Sequence, residues 1–297
     1  MNLTYVYYNN RIVESSEALL SVNNRGLLFG ESVFTSMRTY KDQVLFLEDH
    51  LHRLESGIEY LFEDVEFVNV NEWHQVEKWF FEGIGALRFR IKEHSPDNDV
   101  SLRVTVFIDS VEDTNSLILK KGKLRFFIIG KDISSGFDSG DRVKLTTAQK
   151  RLPPRFIPAY VKPGNYMESA LELRKACSKG FDEILYLTDE DYIAECSTSN
   201  IFFRSGDTIY TPEVNTGILE GITRKKLIKF FAKENINVVT GNYKIDDLLD
   251  SDEAWLTSSV KGIRPVSQFE GKIFSSRDSW TEKIVRLFIR SIEEDYE

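Results

Sequence analysis

Cysteine is scarce in this chain of 297 residues, where only Cys177 and Cys196 occur. Two thiols cannot build a disulfide framework, and neither stands in a Cys-x-x-Cys or His-rich arrangement that would hold a metal, so a reducing, cytoplasmic setting is expected. Long apolar runs are also missing, and none approaches the roughly 18 residues that span a bilayer. The opening residues, 1–11, lack the basic and apolar regions of a signal peptide, so neither export nor membrane insertion is expected. Basic tracts are absent as well. With 38 Lys+Arg against 47 Asp+Glu the formal net charge is −9, and without clustered cations the chain is ill suited to a phosphate backbone, which argues against nucleic acid. Small metabolites become the expected partners. No internal repeat or low-complexity tract is visible.

What is present suits a globular protein: 41% of residues are hydrophobic and 29% charged, enough for a sizeable core. The length suggests two domains of roughly 150 residues each. Turn-rich sequence at 133–141 marks a linker between a small N-terminal α/β domain, 1–132, and a larger C-terminal domain, 142–297. Hydrophobic spacing predicts an opening hairpin over 3–13, helices over 46–62 and 73–83, and strands over 87–91, 101–108 and 123–129. A strand at 142–147 precedes the Pro-rich Arg151-Leu152-Pro153-Pro154-Arg155-Phe156-Ile157-Pro158, which cannot be regular helix or central strand. Helices follow over 166–179, closed by Gly180, and over 222–234 and 279–294, with strands at 183–187, 201–204, 208–210 and 253–256. The fold class is α/β, a mixed α+β pattern in two lobes.

Three segments offer chemistry on residue type alone. Gly217-Ile218-Leu219-Glu220-Gly221-Ile222-Thr223-Arg224 runs a glycine-containing turn into a helix start, where backbone N–H groups and the helix dipole favour an anion; an ordinary capped helix reads the same way. Lys162 stands between the Pro-rich stretch and a helix. A partly desolvated lysine can form a Schiff base with a carbonyl, whereas most lysines are simply solvated. Glu195, among the small hydroxyl residues of Ile193-Ala194-Glu195-Cys196-Ser197-Thr198-Ser199-Asn200, needs a cationic or N–H partner if buried and is otherwise a turn glutamate in water.

Six segments in order, Asn24-Arg25-Gly26 through Phe34-Thr35-Ser36-Met37-Arg38, Asp49-His50-Leu51-His52-Arg53-Leu54, Lys162 to Tyr166, Glu195 to Phe202, Gly221-Ile222-Thr223-Arg224, and Thr257-Ser258-Ser259 to Val266, resemble the class IV pyridoxal-phosphate enzymes. That family includes branched-chain and D-amino acid aminotransferases and 4-amino-4-deoxychorismate lyase. The resemblance implies the fold-type IV architecture of two α/β lobes with pyridoxal 5'-phosphate between them, and a homodimer. By position it matches Lys162 to the Schiff-base lysine, Glu195 to the carboxylate on the pyridine nitrogen and Arg53 to the arginine on the phosphate. Ile222 and Thr223 match the phosphate-holding helix start, Ser259 a phosphate-binding hydroxyl, Tyr166 the tyrosine near the cofactor hydroxyl, and Leu219 the residue packed on the ring. Phe34, Val260 and Lys261 fall at substrate-facing positions. The implied reaction exchanges an amino group between an amino acid, branched-chain type favoured, and a 2-oxo acid. The alternatives are the lyase, which releases pyruvate and 4-aminobenzoate, and a cofactor-binding member without turnover.

The pattern also departs from its relatives. The Arg-x-His carboxylate trap of D-amino acid enzymes is replaced by Asp109-Ser110-Val111-Glu112-Asp113-Thr114-Asn115, an acidic loop that would repel a carboxylate. Ser259-Val260-Lys261 stands where branched-chain enzymes have Thr-Ala-Ala; Lys261 either binds a second carboxylate or points to solvent, the commoner state. Glu195-Cys196 and Phe34-Thr35 lean toward the lyase, and Asn165-Tyr166 toward branched-chain enzymes. Arg88, Arg90 and Arg103, on adjacent expected strands, offer substrate-carboxylate contacts or are sheet-surface charges. An anionic cofactor in an acidic protein requires local cations, foremost Arg53 and Lys162.

Overall fold

The computed structural model of the protein describes residues 4–111, 116–133, 142–153, 155–274 and 280–296. The expected linker, apart from Ile133, and residues 112–115 of the acidic loop lie outside the described residues. Contacts divide the chain into two compact units, Met1–Gly136 with Tyr160–Asn165, and Phe137–Ala159 with Tyr166–Glu297.

The first unit opens with β1 (Thr4–Tyr8) and β2 (Arg11–Val13), turned by Asn9 and Asn10, both at positive φ, a conformation asparagine tolerates better than most residues. Then come α1 (Arg25–Leu28), β3 (Ser32–Tyr40), β4 (Gln43–Val44), α2 (Leu47–Leu61), β5 (Glu66–Phe67), α3 (Trp73–Lys92), β6 (Asp99–Ser110) and β7 (Lys121–Ile133). Among the described residues they form a seven-stranded sheet in the order β2-β1-β7-β6-β3-β4, with β5 on β7. Residues 87–91, expected as a strand, are instead the last turns of α3. Leu87 and Ile91, one helical repeat apart, are fully buried, while Phe89 and Arg90 face outward. Gly83, which reads as a helix end, sits inside the helix because a Cβ there would collide with the Tyr7 ring of β1.

The second unit contains β8 (Val143–Thr147), α4 (Met167–Cys177), β9 (Glu183–Leu187), β10 (Ile193–Cys196), β11 (Asn200–Ser205), β12 (Thr208–Pro212), α5 (Ile222–Lys233), β13 (Asn237–Gly241), α6 (Ile245–Asp250), β14 (Glu253–Ser258), β15 (Gly262–Phe269), β16 (Lys272–Ile273) and α7 (Trp280–Tyr296). The described strands form a nine-stranded sheet in the order β10-β9-β8-β15-β14-β11-β12-β13, with β16 on β15. Parallel pairs, β8 with β9, β8 with β15 and β12 with β13, mix with antiparallel ones, giving the expected mixed α/β class. Phe202 stacks on Trp255 at 5.8 Å, and Phe230 of α5 meets Phe288 of α7 at 5.7 Å. The Gly180 backbone at φ 85° closes the turn after α4, as its sequence position predicts.

One buried carboxylate fastens the last helix. Glu253 accepts hydrogen bonds from Trp280 N (2.9 Å), Thr281 N (3.0 Å) and Thr281 Oγ1 (2.8 Å), satisfying the first N–H groups of α7. Glu253→Ala is expected to destabilise the protein by about 2–4 kcal/mol, read as a lower denaturation midpoint in urea.

Candidate active site

In the first unit, the chain around Lys162 lies along the start of β3. Phe34 N donates to Lys162 O (2.9 Å), Gly164 N donates to Ser32 O (2.8 Å), and Val33 pairs antiparallel with Pro163. Lys162 supplies the carbonyl and Gly164 the N–H, so the missing N–H of Pro163 leaves both bonds intact. Position 164 must be small, because a Cβ would strike Ser32 Oγ. Lys162 is half-buried, with Nζ 4.8 Å from the centroid of the Phe34 ring. Arg103 on β6 places its guanidinium carbon 3.6 Å from the same centroid, so one aromatic ring serves two cations. Arg88 and Arg90 do not share a sheet with Arg103, since both stand on α3; Arg90 pairs with Glu93 of its own last turn.

Arg53 turns inward from α2 and is 9% exposed. Its Nη2 donates to Thr35 Oγ1 and lies 3.4 Å from His50 Nδ1, and Thr35 Oγ1 is 2.6 Å from the same His50 nitrogen. The Thr35 hydroxyl accepts from Arg53 and also hydrogen-bonds His50 Nδ1, so one oxygen ties the two side chains together. Asp109 belongs to β6, is nearly buried and pairs with Arg125 at 3.4 Å; burial raises its carboxyl pKa, and Arg125 draws it back.

In the second unit, Glu195 ends up half-buried near the end of β10, not in water. The turn to β11, closed by Cys196 N donating to Ser199 O (2.8 Å), sets Asn200 beside it. Glu195 Oε2 accepts from Leu219 N (3.0 Å) and from Asn200 Nδ2 (3.3 Å), and Asn200 Nδ2 also donates to Leu219 O (2.9 Å). Two guanidinium groups share this surrounding. Burial lowers the pKa of Arg155, opposed by the Glu195 carboxylate and Tyr166, and burial likewise lowers Arg224, opposed by Glu220 and Glu195.

Helix α5 begins at Ile222, after Gly221 in extended conformation, and no side chain caps it. Its first turn leaves backbone N–H groups without a side-chain cap, and Thr223 Oγ1 stands 3.5 Å from Ser259 Oγ. Uncapped N–H groups with two hydroxyls form a donor set for a phosphate, and a carboxylate braced by N–H donors suits a protonated pyridine nitrogen. Tyr166 occupies the N-cap of α4, Val260 is half-buried and Lys261 is exposed. Among the described residues no cluster of His, Cys, Asp or Glu would hold a metal ion.

Several of these side chains carry no assignment from sequence reasoning. Arg155 lies seven residues before Lys162 in a stretch notable only for its prolines, and Thr35, His50 and Asn200 stand in quoted motifs without roles. Only spatial neighbours reveal them. Arg103 does carry an assignment from sequence, shared with Arg88 and Arg90, as a substrate-carboxylate contact or a sheet-surface charge, and of the three it alone stands on a strand.

A sequence model of the family described as amino-transferase class IV matches residues 32–269. A putative branched-chain-amino-acid aminotransferase of Methanocaldococcus jannaschii is 29% identical over 272 residues, covering 92% of this chain and 90% of that protein. Aminodeoxychorismate lyase of Bacillus subtilis is 26% identical over 296 residues, covering 96% and 93%. The crystal structure of an aminotransferase from Brucella abortus bound to the cofactor PLP superposes with a TM-score of 0.82 at 23% identity, covering 98% of this chain and 99% of that one, so the fold is the same.

The hydroxyl shared by Arg53 and His50 is testable directly. Thr35→Val leaves both groups without it and is expected to lower stability by about 1–3 kcal/mol, while Thr35→Ser retains most of the wild-type thermal midpoint.

Proposed function

Because the chain belongs to the class IV aminotransferases, we propose that it is the enzyme that exchanges an amino group between an amino acid of branched-chain type and a 2-oxo acid, with pyridoxal 5'-phosphate as cofactor. The observation that carries this reading is the span of the family match, residues 32–269, which contains Lys162, Arg53, Glu195, the α5 start and Ser259 together. When bound, pyridoxal phosphate supplies an aldehyde carbon that takes up the amino group and a ring that accepts the electron pair left when a bond at the substrate α-carbon breaks.

The chain's own groups divide the remaining work. Lys162 would hold the cofactor's aldehyde carbon through Nζ, and its free amine would move the proton at the substrate α-carbon. Glu195 keeps a proton on the pyridine nitrogen, and Leu219 packs on the ring. Ile222 N–H, Thr223 N–H and the hydroxyls of Thr223 and Ser259 grip the phosphate, with Arg53 supplying charge. Tyr166 orients the ring hydroxyl. Phe34 and Val260 shape the substrate space, and Arg103, held over the Phe34 ring, offers a carboxylate partner.

A homodimer in the cytoplasm completes the proposal. Support for the dimer comes from large apolar side chains left exposed on the first unit, among them Leu27 (71%), Leu117 (76%) and Ile118 (74%). They flank Arg25, which is fully buried and donates to Ser116 O (2.8 Å) and Leu117 O (3.0 Å). Two free thiols and no described helix long and apolar enough to cross a membrane fit the compartment.

The second reading, 4-amino-4-deoxychorismate lyase, is favoured by Phe34-Thr35 and by the likeness to the Bacillus subtilis enzyme over nearly the whole chain. The protein loaded with pyridoxal phosphate is expected to be yellow, and Lys162→Ala is expected to abolish the band. Single-turnover mixing with a panel of amino acids should bleach the band as the cofactor keeps the amino group. Pyruvate release from aminodeoxychorismate with the band restored would establish the lyase instead, and no response to either substrate class would leave only a cofactor-binding protein. Light scattering should return twice the chain mass, and Leu117→Lys should reduce it to one.

A further inference from the structure

Asn200 joins the Glu195 and Leu219 segments, which the proposed function sets at the cofactor ring. Its side chain is 5% exposed and donates from one nitrogen to both Glu195 Oε2 and Leu219 O, while Leu219 N donates to that same Glu195 oxygen. Carboxylate, loop and amide thus close a small ring of three hydrogen bonds. The other end of the amide reaches the α5 start: a Cβ on Gly221, the residue that caps α5, would collide with Asn200 Oδ1. Backbone pairing adds a third tie, since Asn200 sits opposite Thr257, two residues before Ser259.

We propose that Asn200 is a positioning residue that fixes the Glu195 carboxylate against the Leu219 loop and sets both in register with the phosphate-holding start of α5. The inference rests on the reading of Glu195 as the carboxylate at the pyridine nitrogen. A hydrogen bond from a neutral amide lets Glu195 keep its charge, and because the amide belongs to a strand residue it holds one oxygen in one place. Removing the amide takes a donor from the carboxylate and loosens its tie to the α5 start.

The test uses the cofactor-loaded protein and four variants: Asn200→Ala, Asn200→Asp, Glu195→Gln and Glu195→Gln with Asn200→Ala. Asn200→Asp preserves shape while turning a carboxylate oxygen toward Glu195, so it serves if the alanine variant does not fold. Both single Asn200 variants are expected to keep a borohydride-sensitive yellow band, to shift the pH midpoint of that band by about one unit, and to lose about tenfold to a hundredfold in kcat with a smaller change in KM, the size of one hydrogen bond to a charged group. The double variant is expected to match Glu195→Gln alone, because Asn200 acts through Glu195. Crystal structures without cofactor supply the independent readout, with Glu195 rotated away from Leu219 N in Asn200→Ala. An unmoved midpoint and an unmoved Glu195, or losses that add in the double variant, would overturn the role of Asn200 alone. A wild-type protein with no yellow band would instead overturn the reading of the cofactor site.

Discussion

A carboxylate drawn half out of water must find donors, and the way Glu195 finds them organises the second unit around it. The donors come from two places distant in sequence, the Leu219 backbone and the Asn200 side chain, and each is available only because the surrounding elements hold it there. The β10–β11 turn delivers Asn200, β11 pairs with β14 to bring up Thr257 and the residues after it, and the loop 217–221 leads directly into α5. Breaking any one of these would take a donor from a half-buried carboxylate. Arg155 and Arg224, both buried enough to have their pKa values lowered, add positive potential where the carboxylate sits.

The first unit solves a different problem, how to hold a lysine and an arginine with polar groups in a hydrophobic setting. Lys162 is carried on a short stretch that pairs with β3, so its backbone is as fixed as a strand residue even though the sequence around it is irregular. Arg53 is steered by the Thr35 hydroxyl and the His50 ring, which fix the direction of its guanidinium. An acidic protein of net charge −9 needs positive charge at built positions if it is to hold an anion.

How much of this was legible depended on whether the signal was local. Helix α5 begins at the residue that its glycine and threonine announce, and Gly180 closes α4 where a left-handed residue is needed, because capping is a property of a few consecutive residues. The strand expected over 87–91 failed for a tertiary reason: Gly83 looks like a stop, yet the helix continues because Tyr7 requires a residue without a side chain there. The likeness to class IV enzymes is what nominates Lys162, Arg53, Glu195 and Ser259 for the proposed roles. Asn200, Arg155, Thr35 and His50 stayed silent because their meaning lies in what they touch, and neither periodicity nor composition encodes a hydrogen bond between residues 19 positions apart.

The claim on which the rest stands is that Lys162 is the amine that holds pyridoxal phosphate. Reducing the cofactor-loaded protein with sodium borohydride, digesting it and mapping the attached pyridoxyl phosphate by mass spectrometry tests this directly. The label should appear on the peptide containing Lys162 and on no other. Labelling of a different lysine, or none at all in a protein saturated with cofactor, would contradict it.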